Sequence, residues 1–281
     1  MNFVHEILAE PLAFHGPSLL PWLNRRERLA SHMAASPRAE QQSLKDYLAE
    51  FVNQRRDYTV ENGIAIIHAN DVLSRNTTGV DRALGMTDYA QLIADIEQAV
   101  ADPAVTAILV DINSPGGSAV GAPEAAAALA AAAQQKPVIS YVETMAASAA
   151  YYLAAASSVI VSGQSAIVGS IGTICSFLDF AGLMERIGIT GHIFTPAQSD
   201  LKATGTPFRA PTLAEANFLQ SRTEALNADF TAWVSQHRAS VTAEAMRGQY
   251  FTGTQAQALG LVDQVGNRAD ALAAAQALAA F

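Results

Sequence analysis

Glu143-Thr-Met-Ala-Ala-Ser148-Ala-Ala-Tyr-Tyr-Leu-Ala-Ala-Ala-Ser157 is the stretch on which the reading of this chain turns. Just before it, residues 138–142 (Val-Ile-Ser-Tyr-Val) form a short apolar run, the pattern of a buried strand. From Ser148 onward the residues are mostly alanine, which favours helix. The stretch therefore predicts a strand that passes directly into a helix, with Ser148 at the junction. The first N–H groups of a helix have no partner within it and favour negative charge nearby. A serine there has two readings. One is an N-cap, a role in which serine is common. The other is a nucleophile whose attacked carbonyl develops its negative charge beside those amides.

Outward from this junction, strand and helix patterns alternate. Upstream, residues 64–67 read as a strand core and residues 70–86 as a long loop or hairpin. A helix starts at Thr87 or Asp88, carries apolar residues at helical spacing and ends near Asp102-Pro103. Residues 105–112 read as a buried strand, Asn113-Ser-Pro-Gly-Gly117 as a sharp loop, and residues 123–133 as an alanine-rich helix. Downstream, strands are expected at 159–161, 171–175 and 190–195, with a helix at 177–187 between the last two. A long helix follows from Thr212 to about His237, with short helices to the end. This alternation argues an α/β fold with a mainly parallel sheet. Residues 1–57, punctuated by Pro11, Gly16, Pro17, Pro21 and Pro37, read as a helical N-terminal arm with helices at 23–33 and 40–55. Residues 58–281 make the main domain, closing in a helical C-terminal extension.

Composition narrows the function. Of 281 residues, 50% are hydrophobic and 15% charged, with a net charge of -9. A large core is affordable, and the acidic balance, with no basic cluster beyond Arg25-Arg26 and Arg55-Arg56, argues against a nucleic-acid surface. One cysteine, Cys175, permits no intrachain disulfide. The first residues carry His5, Glu6 and Glu10 where a signal peptide needs a basic start and an apolar core, so none is expected. From Thr144 to Leu178 there is no charged residue or histidine. Serine and glycine clusters interrupt this run, so it reads as buried structure rather than a membrane anchor.

Three pieces carry chemistry. Ser148 is the first. The second is Val110-Asp-Ile-Asn-Ser-Pro-Gly-Gly117, where Gly116 and Gly117 let backbone N–H groups approach a ligand. Paired with the N–H of Ala149, such a segment can build an oxyanion hole, though proline and glycines also make ordinary turns. The third is a base. The histidines are poorly placed: His5, His15 and His32 lie in the arm, His68 ends a strand, His237 ends a helix, and a lone strand histidine such as His192 is more often structural. Lys202 follows the last expected strand in a polar loop. A lysine acts as a base only when neutral, which requires burial to bring it from about 10.4 to roughly 7–8.

The set Asp111-Ile-Asn-Ser-Pro-Gly-Gly117, Ala147-Ser148 with Tyr151-Tyr152-Leu-Ala, Val168-Gly-Ser-Ile-Gly-Thr173 and Lys202 resembles the S49 peptidase family. That family includes the signal peptide peptidase A proteins and phage head-maturation proteases. The segment from Tyr250 to Asp263 is similar to its closing motif, and the likeness spans about residues 59–266. The resemblance implies a ClpP/crotonase-like fold and a Ser–Lys dyad. Ser148 is then the nucleophile, Lys202 the general base and Ser170 the serine that orients the lysine. Gly116 or Gly117, with Ala149, forms the oxyanion hole, and neither cofactor nor metal is needed. Two departures stand out. Ala150 replaces a frequent glycine two residues after the nucleophile, and Asp200 lies near Lys202.

The resemblance also implies protein or peptide substrates and a ring-like homo-oligomer. The opening residues are similar to the phage and prophage members, which implies a capsid maturation protease acting in the host cytoplasm or the procapsid. A host protease of the signal-peptide-peptidase type stays open. So do an acyl-CoA enzyme of the crotonase type and an inactive structural capsid protein.

Overall fold

The computed structural model describes residues 12–14 (by their backbone), 58–83 and 85–280. The helices expected at 23–33 and 40–55 lie outside them. The described residues contribute ten strands to one sheet. In chain order these are β1 (Leu12–Phe14), β2 (Tyr58–Glu61), β3 (Ile64–Ser74), β4 (Thr87–Asp88), β5 (Ala107–Ser118), β6 (Val138–Ala147), β7 (Val159–Ser162), β8 (Ile167–Gly169), β9 (Tyr250–Thr252) and β10 (Gln264–Val265). The helices are α1 (Gly79–Ala83), α2 (Tyr89–Ala101), α3 (Ala122–Ala133), α4 (Ala149–Ala154), α5 (Ala181–Arg186), α6 (Leu213–His237), α7 (Gly253–Ala258) and α8 (Arg268–Ala279). Across the sheet the order is β10-β7-β6-β5-β3-β2. The pairs from β10 to β3 are parallel, and β2 joins antiparallel at one edge.

The period of two along the central strands divides the core between the sheet's faces. Ile64 and Ile66 of β3, with Ala107 and Leu109 of β5, pack with Ala271 and Ala275 of α8. Ala65, Ile67 and Ala69, with Ile108, Val110 and Ile112, face the larger cluster with α2, α3 and α4. Both faces are covered, which is why these strands read as continuous apolar runs. Fully burying each such side chain contributes about 1.5–3 kcal/mol. In α2, Tyr89, Leu92, Ile96 and Ala99 form the buried stripe, and Asp88 caps the helix by accepting from the Ala90 N–H. In α3 the stripe is Ala122, Ala125, Ala126, Leu129 and Ala132. Its small residues let the helix sit close to α2 and α4.

Several boundaries differ from the sequence expectation. The Asn113–Gly117 segment is not a loop: β5 continues through it to Ser118. Likewise β3 runs on to Ser74, into the stretch expected to be a loop or hairpin, and β6 runs to Ala147. Polar residues interrupt the apolar pattern in each strand (His68, Asn70 and Asp71 in β3, Asn113 and Ser114 in β5, Glu143 and Thr144 in β6), so hydropathy hides the continuation, and register shifts between Asn70 and Val72 and between Ile112 and Asn113 absorb the irregularity. Residues 171–175 form no strand; the strand is β8, four residues earlier. No strand forms at 190–195, where every residue is exposed. The expected helix at 177–187 shortens to α5, which buries none of its residues. The long helix is found where expected, from the capping box of Thr212 and Glu215 to His237.

Candidate active site

Ser148 closes β6 and precedes α4 with φ 55° and ψ -121°, a conformation non-glycine residues seldom adopt. The backbone must leave the sheet and enter the helix within one residue, and this torsion accomplishes the turn. Its hydroxyl caps nothing in α4, so the N-cap reading does not hold. Instead the Ser148 Oγ donates to the Gly172 carbonyl at 3.4 Å, and the residue is 1% exposed. Holding a serine in such strain costs on the order of 1–3 kcal/mol. The same strand-to-helix turn aims the nucleophile in hydrolases that carry a nucleophile elbow.

The glycine segment lies in the strand beside it. The parallel register of β5 with β6 ends at Ser114 opposite Ala146, two residues before Ser148. On its other edge β5 follows β3, with Val72 opposite Gly116 and Leu73 opposite Gly117. Gly117 has no room for a side chain: a Cβ there would stand 1.8 Å from the Leu73 carbonyl oxygen. Gly116 holds φ 98°, the left-handed region that glycine occupies freely. Its N–H donates to Ser114 Oγ at 3.1 Å, and that wholly buried hydroxyl donates to the Asp71 carbonyl at 2.5 Å. The two glycines therefore differ: the amide of Gly116 is engaged within its own turn.

Ser170 is brought to the same place through β8. Ala147 stands opposite Gly169, and the Ser148 N–H donates to the Gly169 carbonyl at 2.8 Å. Ser170 also has a positive φ, 51°, and its N–H donates to the Gln249 carbonyl at 2.8 Å. The closing segment thus braces Ser170 from behind. It also braces α4: the Tyr151 hydroxyl, deep in the core, donates to the Leu261 carbonyl at 2.9 Å. Burial pushes the Tyr151 phenol well above its usual range, so it stays a neutral donor.

Sequence reasoning missed one anchor of this arrangement. Arg238 is 7% exposed and pairs with Asp263 at 2.8 Å, while its other nitrogen donates to the Ser157 carbonyl at 2.8 Å. Asp263 also accepts from the Ile160 N–H at 2.7 Å. This ion pair ties the end of α6, the end of the segment after α4, β7 and the closing motif together. The only signal was an aspartate ending the closing motif, with nothing local to name its partner.

Lys202 is placed differently from the other residues. It lies in a 3-10 helix, Ala197–Ala203, that buries none of its residues, and it is itself exposed, as is Asp200. From Gly172 to Ala214 no residue is buried. The same stretch exposes Leu178, Phe180, Leu183, Ile187, Ile189 and, at 91%, Phe194. Ser148, Ser170, Ala149 and the glycine pair are thus gathered at adjoining strand ends, while Lys202 sits on an extended apolar arm. His192 is exposed on that arm too. Ala150 is wholly buried, so its methyl packs into the core beneath α4.

Among described residues, no helix is long and apolar enough to cross a membrane. The chain is 31% identical over 221 residues to the capsid assembly protease C of Escherichia phage lambda, covering 78% of this chain and 50% of that protein. It is 32% identical over 231 residues to the head-tail preconnector protein GP5 of Enterobacteria phage P21, covering 81% and 45%. A Methanocaldococcus jannaschii protein bearing the name putative protease is 36% identical over 194 residues, covering 68% and 61%. The chain thus spans about half the length of these curated relatives. Among solved structures, an enoyl-CoA hydratase/isomerase family protein from Silicibacter pomeroyi overlays with a TM-score of 0.47 and 15% identity, over 80% of this chain and 82% of that one. The layered α/β architecture, a mainly parallel sheet with helices on both faces, is the α/β class that the alternation of strands and helices implied. The sequence pattern of Peptidase family S49 matches residues 130–281, more than half of the chain and the part that carries Ser148, Ser170 and Lys202, and the chain belongs to that family.

Proposed function

We propose that this chain is a serine endopeptidase working through a Ser148–Lys202 dyad. The observation that carries the reading is Ser148 itself: a buried serine in a strained strand-to-helix turn, with a hydroxyl that caps nothing, beside a glycine strand end. Neutral Lys202 takes the proton as Ser148 Oγ attacks the substrate carbonyl. The oxyanion accepts hydrogen bonds from the N–H of Ala149 and, since Gly116 is engaged, from that of Gly117. The C–N bond then breaks and the lysine returns its proton to the leaving amine. Water hydrolyses the acyl-enzyme with Lys202 again as base, and Ser148 regains its proton. Ser170 orients the lysine amine.

Exposure of Lys202 in a single chain makes this a chemistry of the assembled protein. A lysine acts as a base only when its amine is neutral, which burial favours. Cover for the arm, supplied by a second copy in a ring-like homo-oligomer, buries its apolar side chains and desolvates the amine in one step. The phage relatives support a role in capsid maturation, cutting scaffold and head proteins in the procapsid or host cytoplasm.

A fluorophosphonate probe tests the nucleophile directly. Wild-type protein should be labelled at Ser148 and should cleave casein or a scaffold peptide. Ser148→Ala should do neither, while keeping the fold by circular dichroism. Retention of more than about 1% of wild-type turnover by Ser148→Ala would reject the assignment, because losing a nucleophile costs about 10³-fold or more.

A further inference from the structure

The edge of β5 beyond Ser114 is not bare. β3 follows one side of β5 as far as Gly117, and β6 leaves the other side after Ser114 as it turns toward Ser148. That vacated edge is taken by the chain's own residues 12–14. They pair antiparallel with the glycine segment, Leu12 opposite Ser118, Ala13 opposite Gly117 and Phe14 opposite Gly116. Because β3 holds the far edge at the same residues, β1 must lie on the edge β6 has left, next to the nucleophile turn. Antiparallel pairing runs the segment from Ser118 toward Gly116, so its C-terminal end is the one nearer Ser114 and Ala146.

We propose that the β5 edge at Gly116–Ser118 is the strand-docking track for an extended peptide, and that Leu12-Ala-Phe14 is its built-in occupant, competing with substrate. The inference rests on the peptidase reading for the meaning of substrate, while the pairing itself does not. An extended peptide adds to a free sheet edge through main-chain hydrogen bonds, which accept many sequences. The occupant is tethered at an effective concentration on the order of mM. A segment of about 0.1–0.3 mM intrinsic affinity is then docked roughly three- to tenfold more often than not. Substrate affinity falls by the same factor, since substrate must find the open fraction. Residues 12–14 thus hold the enzyme back until they are displaced.

The test uses the full chain with Ala13→Pro and Phe14→Pro together. Antiparallel pairs alternate in which residues bond across the ladder, so two consecutive prolines remove at least one N–H that faces β5. Two measurements separate this proposal from the peptidase reading. A fluorescent peptide of residues 8–18 is titrated into Ser148→Ala protein with and without the prolines, which needs no catalysis. Binding about three- to tenfold tighter to the proline variant supports the proposal, and equal binding overturns it. In proteins with Ser148 intact, the KM for a peptide substrate should fall by the same factor in the proline variant, and an unchanged KM overturns the proposal. Tighter binding of the fluorescent peptide without any peptidase activity would support the docking track and overturn the peptidase reading alone.

Discussion

Gly117→Ala probes the site at its tightest contact. A Cβ at this position would lie 1.8 Å from the Leu73 carbonyl oxygen, 2.6 Å from its carbonyl carbon and 2.7 Å from its nitrogen. All three are backbone atoms, so no side chain can swing away. Restoring ordinary contact of about 3.4 Å requires β3 and β5 to part by about 1.6 Å at this pair. A ladder bond near 2.9 Å stretched by that amount is broken. Losing two or three such bonds at about 1 kcal/mol each, with the strain of overpacking, costs about 3–5 kcal/mol. For a domain of this size that lowers Tm by roughly 6–20 °C. The shift also moves a proposed oxyanion donor by more than 1 Å, so kcat/KM should fall at least about 100-fold at temperatures where the variant is folded. Differential scanning calorimetry and peptide hydrolysis measure the two effects. Gly182→Ala is the control: nothing lies within 4 Å of its Cβ, it sits in α5, and it should match or slightly exceed wild-type stability. A Gly117→Ala protein with Tm within about 2 °C and kcat/KM within about threefold of wild type would refute the close approach and the role built on it.

Other substitutions test the remaining parts. Ser148→Gly should be inactive yet more stable by about 1–2 kcal/mol in urea unfolding, because glycine adopts φ 55° and ψ -121° without strain; a less stable glycine variant would deny the strain. Lys202→Arg should be as inactive as Lys202→Ala in peptide hydrolysis, since arginine keeps the charge but is no base, whereas His192→Ala should keep most activity. Phe194→Asp places a charge on the most exposed large apolar side chain of the arm. It should shift sedimentation toward monomer and lower activity in parallel, and full activity in a monomer would reject cover by a second copy. Glu215 accepts two 2.7 Å bonds from Arg209 and one from the Thr212 N–H, and the Arg209 guanidinium chiefly holds its carboxyl down at about 2, against an ordinary 4.5. Its contribution is therefore complete above pH 4.5 and is lost as pH falls from there through 2. Urea midpoints measured across that window should drop in wild type and vary less in Glu215→Gln, which should itself be weaker at neutral pH by about 1–3 kcal/mol.

The layers of the fold and the Ser148 junction were legible because local chemistry specifies them. The apolar runs at residues 64–67, 105–112 and 138–142 mark buried strands, and Thr212 with Glu215 marks the start of α6 through a bond spanning three residues. The Ser148 turn follows from an apolar strand meeting an alanine-rich helix. Three other features depended on tertiary structure. Asn113 to Ser118 is strand because β3 lies close enough to exclude any side chain at Gly117, a constraint imposed by residues over forty positions away. Residues 190–195 carry β-branched and aromatic side chains but form no strand, and every one of them is exposed, so no burial repays the ordering of an extended segment. Ser170 stands beside Ser148 because β8 pairs with β6, and Arg238 meets Asp263 because the end of α6 lies beside Ser157 and β7, where the closing motif also ends. Sequence determines which segments must be buried and where the chain turns. Only the packed structure decides which backbone edges stay open and which polar groups meet, because those depend on contacts between residues far apart in the chain.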